Sequence, residues 1–393
     1  MSWGTNLFAK FRNFLPSSGF TFNRPIVIFQ SDDWGRVGLR DAEGFDLLQQ
    51  AGLSVGQRAY DWYSLETADD VEALAATLRK HRDSSGRPPT LEMNFIVGNL
   101  DFGKMEGEDW RKIHILSLAD GLPAGWNRPA LYDSYRSGVA DGVFHPALHG
   151  TTHFCVREVD SNLTAGGERA ELLRTLWKAG TPYIHWRMPW IGYEYWGPEN
   201  PPMERFLPEQ VQEQLVGQSV GAFAKMFGVL PGSACAPGYR ANEDTNAAWA
   251  LHGIKVAQNG PGLLIYPYLD RNELLQTVRT VEFEPATNEN FSLEDCIRSA
   301  EDCFSKGLPA IISLHSINFH SSVRDFRTPT LKYLDELLTA LESRHNDLLY
   351  LHDADLYDLV QRGVFQSSHG AVRVDVLKKT FRKSSLSGKK VPQ

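Results

Sequence analysis

The chain has 393 residues, 42% of them hydrophobic and 22% charged, enough apolar material for one large core or two ordinary ones. A net charge of −8 and a pI near 5.9 argue against nucleic acid as the main partner, because phosphate binding wants a basic surface. The four cysteines (Cys155, Cys235, Cys296, Cys303) form no CxxC pair, which suits a reducing compartment or a fold that does without disulfides.

In chain order, the opening MSWGTNLFAKFRNFL sets Leu7, Phe11, Phe14 and Leu15 at helical spacing beside Lys10 and Arg12. It lacks the charged, apolar, small-residue order of a secretory signal, and no apolar run approaches the ~20 residues of a membrane span, so a cytoplasmic location is expected. Pro25 and the apolar run at 26–29 predict the first strand. A helix over 71–78 follows, with Leu74, Ala75 and Leu78 on one face. Phe95-Ile96-Val97 predicts a second strand stopped by Gly98, and polar, aromatic-rich stretches near 99–140 and 155–207 read as insertions. Val216, Val220, Phe223 and Phe227 predict a helix with Pro208 in its first turn and Gly228 as its cap. Runs at 254–257, 310–314 and 348–351 predict further strands, and Leu331, Leu334, Leu338 and Leu341 a further helix.

Strands alternating with helices mean an α/β fold with a parallel sheet, and the number of buried-type strands favours a barrel. The chain divides into a lead segment at 1–22, a barrel at 23–367 and a basic tail at 368–393, expected to be flexible. Arg373, Lys378, Lys379, Arg382, Lys383, Lys389 and Lys390 lie in that tail. With the opening segment they either touch an anionic membrane surface peripherally, on its inner face, or serve as a docking helix and a solvated tail.

Functional side chains of such barrels lie just past the C-terminal ends of strands. Ser31-Asp32-Asp33 follows the first strand, His149-Gly150-Thr151-Thr152-His153 follows the short run around Val143-Phe144, and His315 closes the run at 311–314. On a helix, residues four apart share a face, so His149 and His153 can reach one metal ion. Asp33 adds a hard oxygen ligand, and two histidines plus one carboxylate leave positions open for water and substrate. Asp32 is then expected as general base and His315 as the acid that protonates the leaving amine. Zinc is the default ion for this donor set, with cobalt, nickel and iron compatible. Singly, an Asp-Asp pair is commonly a turn or helix cap, and HxxxH is commonly chance among twelve histidines. Their order and placement together carry the reading.

The set resembles the polysaccharide deacetylase family, the NodB-like domain of carbohydrate esterase family four. Phe29-Gln30-Ser31-Asp32-Asp33 matches its first motif, His149 and His153 its metal histidines, and Ser313-Leu314-His315 its last motif. Leu91 to Gly98 resembles the second strand, and Cys235-Ala236-Pro237-Gly238-Tyr239 the third motif. The resemblance runs over residues 23–362 and implies a distorted (β/α) barrel with Asp32 as base and Asp33, His149 and His153 as ligands. It implies removal of an N-acetyl or O-acetyl group from an N-acetylated sugar, nucleotide sugar or oligosaccharide, in surface-polysaccharide or glycoconjugate synthesis.

Three departures mark a divergent branch. Cys235 stands where the family has an arginine that holds the catalytic Asp, and a thiol offers no cationic fork. Arg240 is the expected replacement, with Arg36 and Arg187 as alternatives. Trp34 stands where many members have glycine, and the fourth-motif Asp has no clear match beyond Asp270. Trp186, Trp190, Tyr193, Tyr195 and Trp196 crowd the second insertion. Such rings either stack on sugar or pin the loop to the barrel. Trp34, Trp190, Tyr193, Trp196 and Tyr239 are the expected substrate contacts. An amide or imide hydrolase for a small cyclic substrate and a silent saccharide-binding protein are the competing readings.

Overall fold

The computed structural model describes residues 18–262, 265–367 and 370–380. Strands β1 (Ser18–Phe22) and β2 (Ile26–Trp34) lead into helices Ala42–Gln50 and Ala68–Leu78, then β3 (Leu91–Phe95) and the hairpin β4 (Gly98–Leu100) and β5 (Ile115–Ser117). Helix Leu131–Ala140 crosses to β6 (Phe144–Leu148), and helices Val156–Ala165, Gly167–Lys178 and Glu209–Phe227 come before β7 (Ser233–Cys235). Helix Glu243–Leu251, β8 (Val256–Asn259), β9 (Tyr268–Leu269), β10 (Leu275–Val278) and β11 (Val281–Glu282) follow. Helix Leu293–Ser305, β12 (Ala310–His315), helix Arg327–Arg344, β13 (Leu349–Tyr350) and helix Asp353–Arg362 complete the alternation. The described chain ends with β14 (Val364–Ser367), β15 (Gly370–Arg373) and β16 (Val376–Thr380).

The main sheet runs β11-β12-β2-β3-β6-β7-β8-β10-β9, with β13 also on β2. All its pairings are parallel except β9 on β10. The segment 275–282 closes the barrel: its first half pairs with β8 and its second with β12, at opposite ends of the sheet. Arg279 and Thr280 sit at the changeover.

The two-residue strand period puts Ile26, Ile28, Gln30 and Asp32 on one face of β2. Ile26 and Ile28 join an apolar floor with Val256, Leu275, Ile311 and Leu349. One step up, Gln30 and Gln258 donate to the Asp353 carboxylate at 2.9 and 2.8 Å, and the Asp353 amide donates to Glu92 at 2.7 Å. One step further is Asp32. The alternate residues Val27 and Phe29 pack into the larger core under the helices. The interior therefore passes from apolar floor to polar layer to the Asp32 carboxylate along one strand.

Local signals act where they were expected. Gly228 takes the left-handed conformation (φ 74°) that ends helix Glu209–Phe227. The second strand stops at Phe95, however, and Ile96 and Val97 only link it to the β4–β5 hairpin. The stretch at 99–140 likewise contains a crossover helix as well as inserted chain. In the segment read as a tail, β15 pairs with β14 and β16 pairs antiparallel with β1. The expected helix in the opening segment and the basic residues beyond 380 lie outside the described residues. All four cysteines are free and buried. Among the described residues no helix is long and apolar enough to cross a membrane.

Candidate active site

A regular strand would send Asp32 and Asp33 to opposite faces. Asp33 instead has φ 75°, and the pairing of β2 with β3 slips between Ser31 and Trp34. This bulge turns both carboxylates into one cavity. Tyr63 and Ser316 hold the left-handed backbone by donating to the Asp33 carbonyl at 2.7 and 3.2 Å.

His149 follows β6, and its Nδ1 lies 2.8 Å from the Cys235 carbonyl on β7. A carbonyl only accepts, so Nδ1 carries the proton and Nε2 keeps its lone pair toward Asp33. The next residues form a loop, not the helical turn that the HxxxH spacing suggested. Gly150 (φ 85°) turns against the Glu194 carboxylate, leaving no room for a Cβ, and the Thr151 amide donates to Glu194 at 2.9 Å. Thus stapled, the loop returns His153 to Asp33: its Nε2 lies 3.3 Å from Asp33 Oδ1, and that of His149 lies 3.7 Å away.

These three residues suit a divalent cation. Asp33 Oδ1 is buried and accepts no hydrogen bond, its charged contact being the Arg36 guanidinium at 3.3 Å, and so keeps a lone pair for an ion. Burial would raise the Asp33 pKa, but the Arg36 guanidinium and nearby histidines override it and keep the carboxylate ionised. Burial depresses His149 and, with Arg36 adding to it, depresses His153 further, so both imidazoles are neutral, the form that can ligate a metal.

Two other groupings fit an ion less well. Asp32, His149 and Cys235 lie together, but Arg279 occupies both oxygens of Asp32, and burial and Asp32 push the Cys235 thiol up, away from the ligating thiolate. In the Glu92, His145 and His352 group the two rings stack at 4.2 Å with 11° between planes. Their in-plane lone pairs then run side by side instead of converging.

Asp32 accepts from Arg279 Nη1 at 2.9 Å, Arg279 Nη2 at 2.5 Å and Asn94 Nδ2 at 2.7 Å. Burial would raise its pKa, yet Arg279 and the neighbouring histidines hold it far below the usual carboxylate range. His315 Nε2 stands 3.8 Å from Asp32 Oδ2, while its Nδ1 pairs with Glu284 at 2.6 Å. Burial opposes the imidazolium, but Glu284, helped by both aspartates, holds His315 up at about 9. The cavity above measures about 380 Å³, with Tyr60, Tyr183, His185, Trp186, Tyr193 and Tyr239 among its walls.

No family model and no curated protein matches the chain. Among solved structures, a candidate glycoside hydrolase/deacetylase from Parabacteroides distasonis is 12% identical with a TM-score of 0.51, covering 90% of this chain and 77% of that one. A candidate polysaccharide deacetylase from Mycobacterium smegmatis is also 12% identical, with a TM-score of 0.46 over 88% of this chain and 95% of the other. A family 4 carbohydrate esterase from Streptomyces lividans, 12% identical, has a TM-score of 0.35 over 83% and 91%. The chain has the distorted barrel of the polysaccharide deacetylase type.

Within that deacetylase-type barrel, the structure brings Asp32, Asp33, His149, His153, His315, Tyr193 and Tyr239 to one cavity. Arg240 is elsewhere, its guanidinium 4.7 Å over the Trp196 ring. The cation at Asp32 is Arg279, which sequence reasoning missed, as it missed Glu284 beside His315. Asp270 instead ties its own turn, accepting from the amides of Asn272 and Leu274.

Three expected substrate contacts also move. Trp34 is fully buried and donates to Ser31 at 2.9 Å, because the bulge that turns Asp33 outward sends the next residue into the core. Trp190 is buried under Arg169, and Trp196 bridges to Tyr193 and Phe206 outside the cavity wall. Trp186 lines the cavity in their place, its indole donating to Asp61 at 2.8 Å.

Proposed function

We propose that the chain is a metal-dependent hydrolase that removes an N-acetyl or O-acetyl group from a carbohydrate. The observation that carries this reading is the open Asp33–His149–His153 donor set, flanked by a fixed carboxylate on one side and a carboxylate-backed histidine on the other. Asp33, His149 and His153 would hold the ion, zinc by default. When bound, it supplies Lewis acidity to water and to an acyl oxygen, and brings the pKa of water toward roughly 7.

The remaining work belongs to the side chains. Arg279 keeps Asp32 ionised and fixed, so that it can accept a proton from water; the pairing weakens it as a base, and its value lies in position. His315, protonated through its pairing with Glu284, donates to the departing nitrogen or oxygen. Tyr193 and Trp186 add aromatic surface to the cavity that receives the sugar, with His185 stacked on the one and Arg58 and Arg187 over the other.

A second reading, hydrolysis of the amide or imide bond of a small cyclic compound, is favoured by the cavity volume of about 380 Å³, which suits a small molecule better than a polymer. Acetate release should be measured on N-acetylated sugars, nucleotide sugars and oligosaccharides, with and without chelator. Chelator-sensitive release supports the first reading. Ring opening of cyclic amides or imides with no acetate released from any sugar would replace it with the second.

The paired histidine adds a pH signature. The donor must be protonated, so the rate is expected to fall as pH rises through about 9. In Glu284→Gln only the two aspartates oppose burial, and the His315 pKa drops toward or below its ordinary value near 6.5. The basic limb of the kcat/KM profile should move down by about two pH units, since a pKa shift moves the limb equally. An unmoved limb would show that His315 is not the donor.

A further inference from the structure

Arg36 is a buried cation with too little to pair with. It is 6% exposed, lines the cavity, and its guanidinium carbon lies 3.8 Å over the Tyr63 ring and 5.6 Å from that of Tyr183. Its Nε has no hydrogen-bond partner. Among the described residues its one ion-pair contact is Asp33 Oδ1 at 3.3 Å, the same oxygen that His149 and His153 face. The other charges that face the metal-type residues are matched individually, Asp32 with Arg279 and Glu284 with His315.

Asp33 is thus claimed twice. An ion held by Asp33, His149 and His153 draws on the charge that now balances Arg36, leaving a buried guanidinium beside a dication without a counter-ion of its own. Such a charge is unfavourable until an anion meets it. A neutral acetamido sugar supplies none. A guanidinium fork matches the oxygens of a carboxylate or a phosphate, and Tyr63 holds this one against the cavity wall.

We infer that Arg36 reads an anionic oxygen group, a carboxylate or phosphate, carried by the substrate beside the group that reacts. The substrate class narrows to acylated sugar acids or acylated sugar phosphates. The inference rests on the reading of Asp33, His149 and His153 as a metal centre.

The test is calorimetric titration of metal-free and zinc-loaded protein with acetate, inorganic phosphate and neutral acetamide. In zinc-loaded protein the better anion is expected to bind at least about tenfold more tightly to the native chain than to Arg36→Met, the gain of one matched ion pair. Acetamide should not distinguish the two, and the Arg36-dependent margin should shrink without zinc, where Asp33 again balances Arg36. The anion with the larger margin identifies carboxylate or phosphate. Arg36→Gln gives the same comparison should the methionine variant fail to fold.

Equal anion affinity in native and variant chains overturns the inference. So does loss of zinc from both variants, which would make Arg36 a support for Asp33. Failure to take up any divalent ion overturns this inference and the metal-centre reading together. Arg36-dependent anion binding without acetate release from any sugar supports it and sinks only the deacetylase reading.

Discussion

Arg279→Met is expected to lower turnover by about 10²-fold or more and to destabilise the fold by about 3–5 kcal/mol, while metal content stays unchanged. The bidentate pair with Asp32 lies inside the barrel, with both side chains buried. Removing the cation leaves a carboxylate there with Asn94, the Cys235 thiol and, at 3.8 Å, the His315 ring close by, none of which replaces the bidentate guanidinium. Its pKa then follows burial upward, so the acidic limb of the pH–rate profile moves to higher pH.

The stability change has a definite sign with pH. In the native chain the folded pKa of Asp32 is depressed, so its contribution is complete above the unfolded value near 3.9 and is lost only as pH falls below that. In the variant the folded pKa is raised, so the penalty is greatest at neutral pH and fades on acidification. Denaturant midpoints of the two proteins should therefore converge as pH falls. Asp32→Asn combined with Arg279→Met should recover much of the stability and none of the activity, because an unpaired buried charge is no longer present. A single variant as stable and as active as the native chain would remove Arg279 from the site.

Arg279 also shows where sequence reasoning stopped. Asp32, Asp33, His149 and His315 were legible because each lies at the end of a strand whose apolar run can be counted, and His153 through its spacing from His149. Arg279 lies between two short strands, 247 positions from its partner, and no local motif announces it. A signal was present all the same. In LQTVRTVE an arginine interrupts a β-branched stretch that the fold buries, and a buried arginine demands a carboxylate.

Arg240 was attractive because it follows a Pro-Gly turn, but Gly238 and Tyr239 both adopt left-handed backbone (φ 60° and 57°). That double turn brings the Tyr239 hydroxyl to Arg279 at 3.0 Å and carries Arg240 away to Trp196. The helical reading of HxxxH failed for a similar reason. Spacing reports which residues can meet, whereas Gly150 and the buried Glu194, 44 positions apart, decide how the loop lets them. The aromatic insertion was visible as composition, but the rings that face the cavity were set by tertiary packing.

The second large effect concerns the ligands themselves. The native chain is expected to take up about one divalent ion, and His149→Ala and His153→Ala each to lose most of it. At a free zinc concentration about 100 times the dissociation constant, the ion should stabilise the native fold by about 2.7 kcal/mol, a gain absent from both variants. Because burial depresses both imidazoles, they remain neutral as pH falls below the ordinary histidine range, so uptake should persist into mildly acidic buffer. The variants should nevertheless differ without metal. His149 donates to the Cys235 carbonyl, and its loss strands a buried acceptor at a cost of about 1–3 kcal/mol. His153 Nδ1 has no such partner, so His153→Ala should melt closer to the native metal-free protein. Elemental analysis and paired melting curves read both differences. If both variants bind zinc as the native chain does and gain the same stability, the ion, if any, lies elsewhere, and Asp33 Oδ1 is balanced by Arg36 alone.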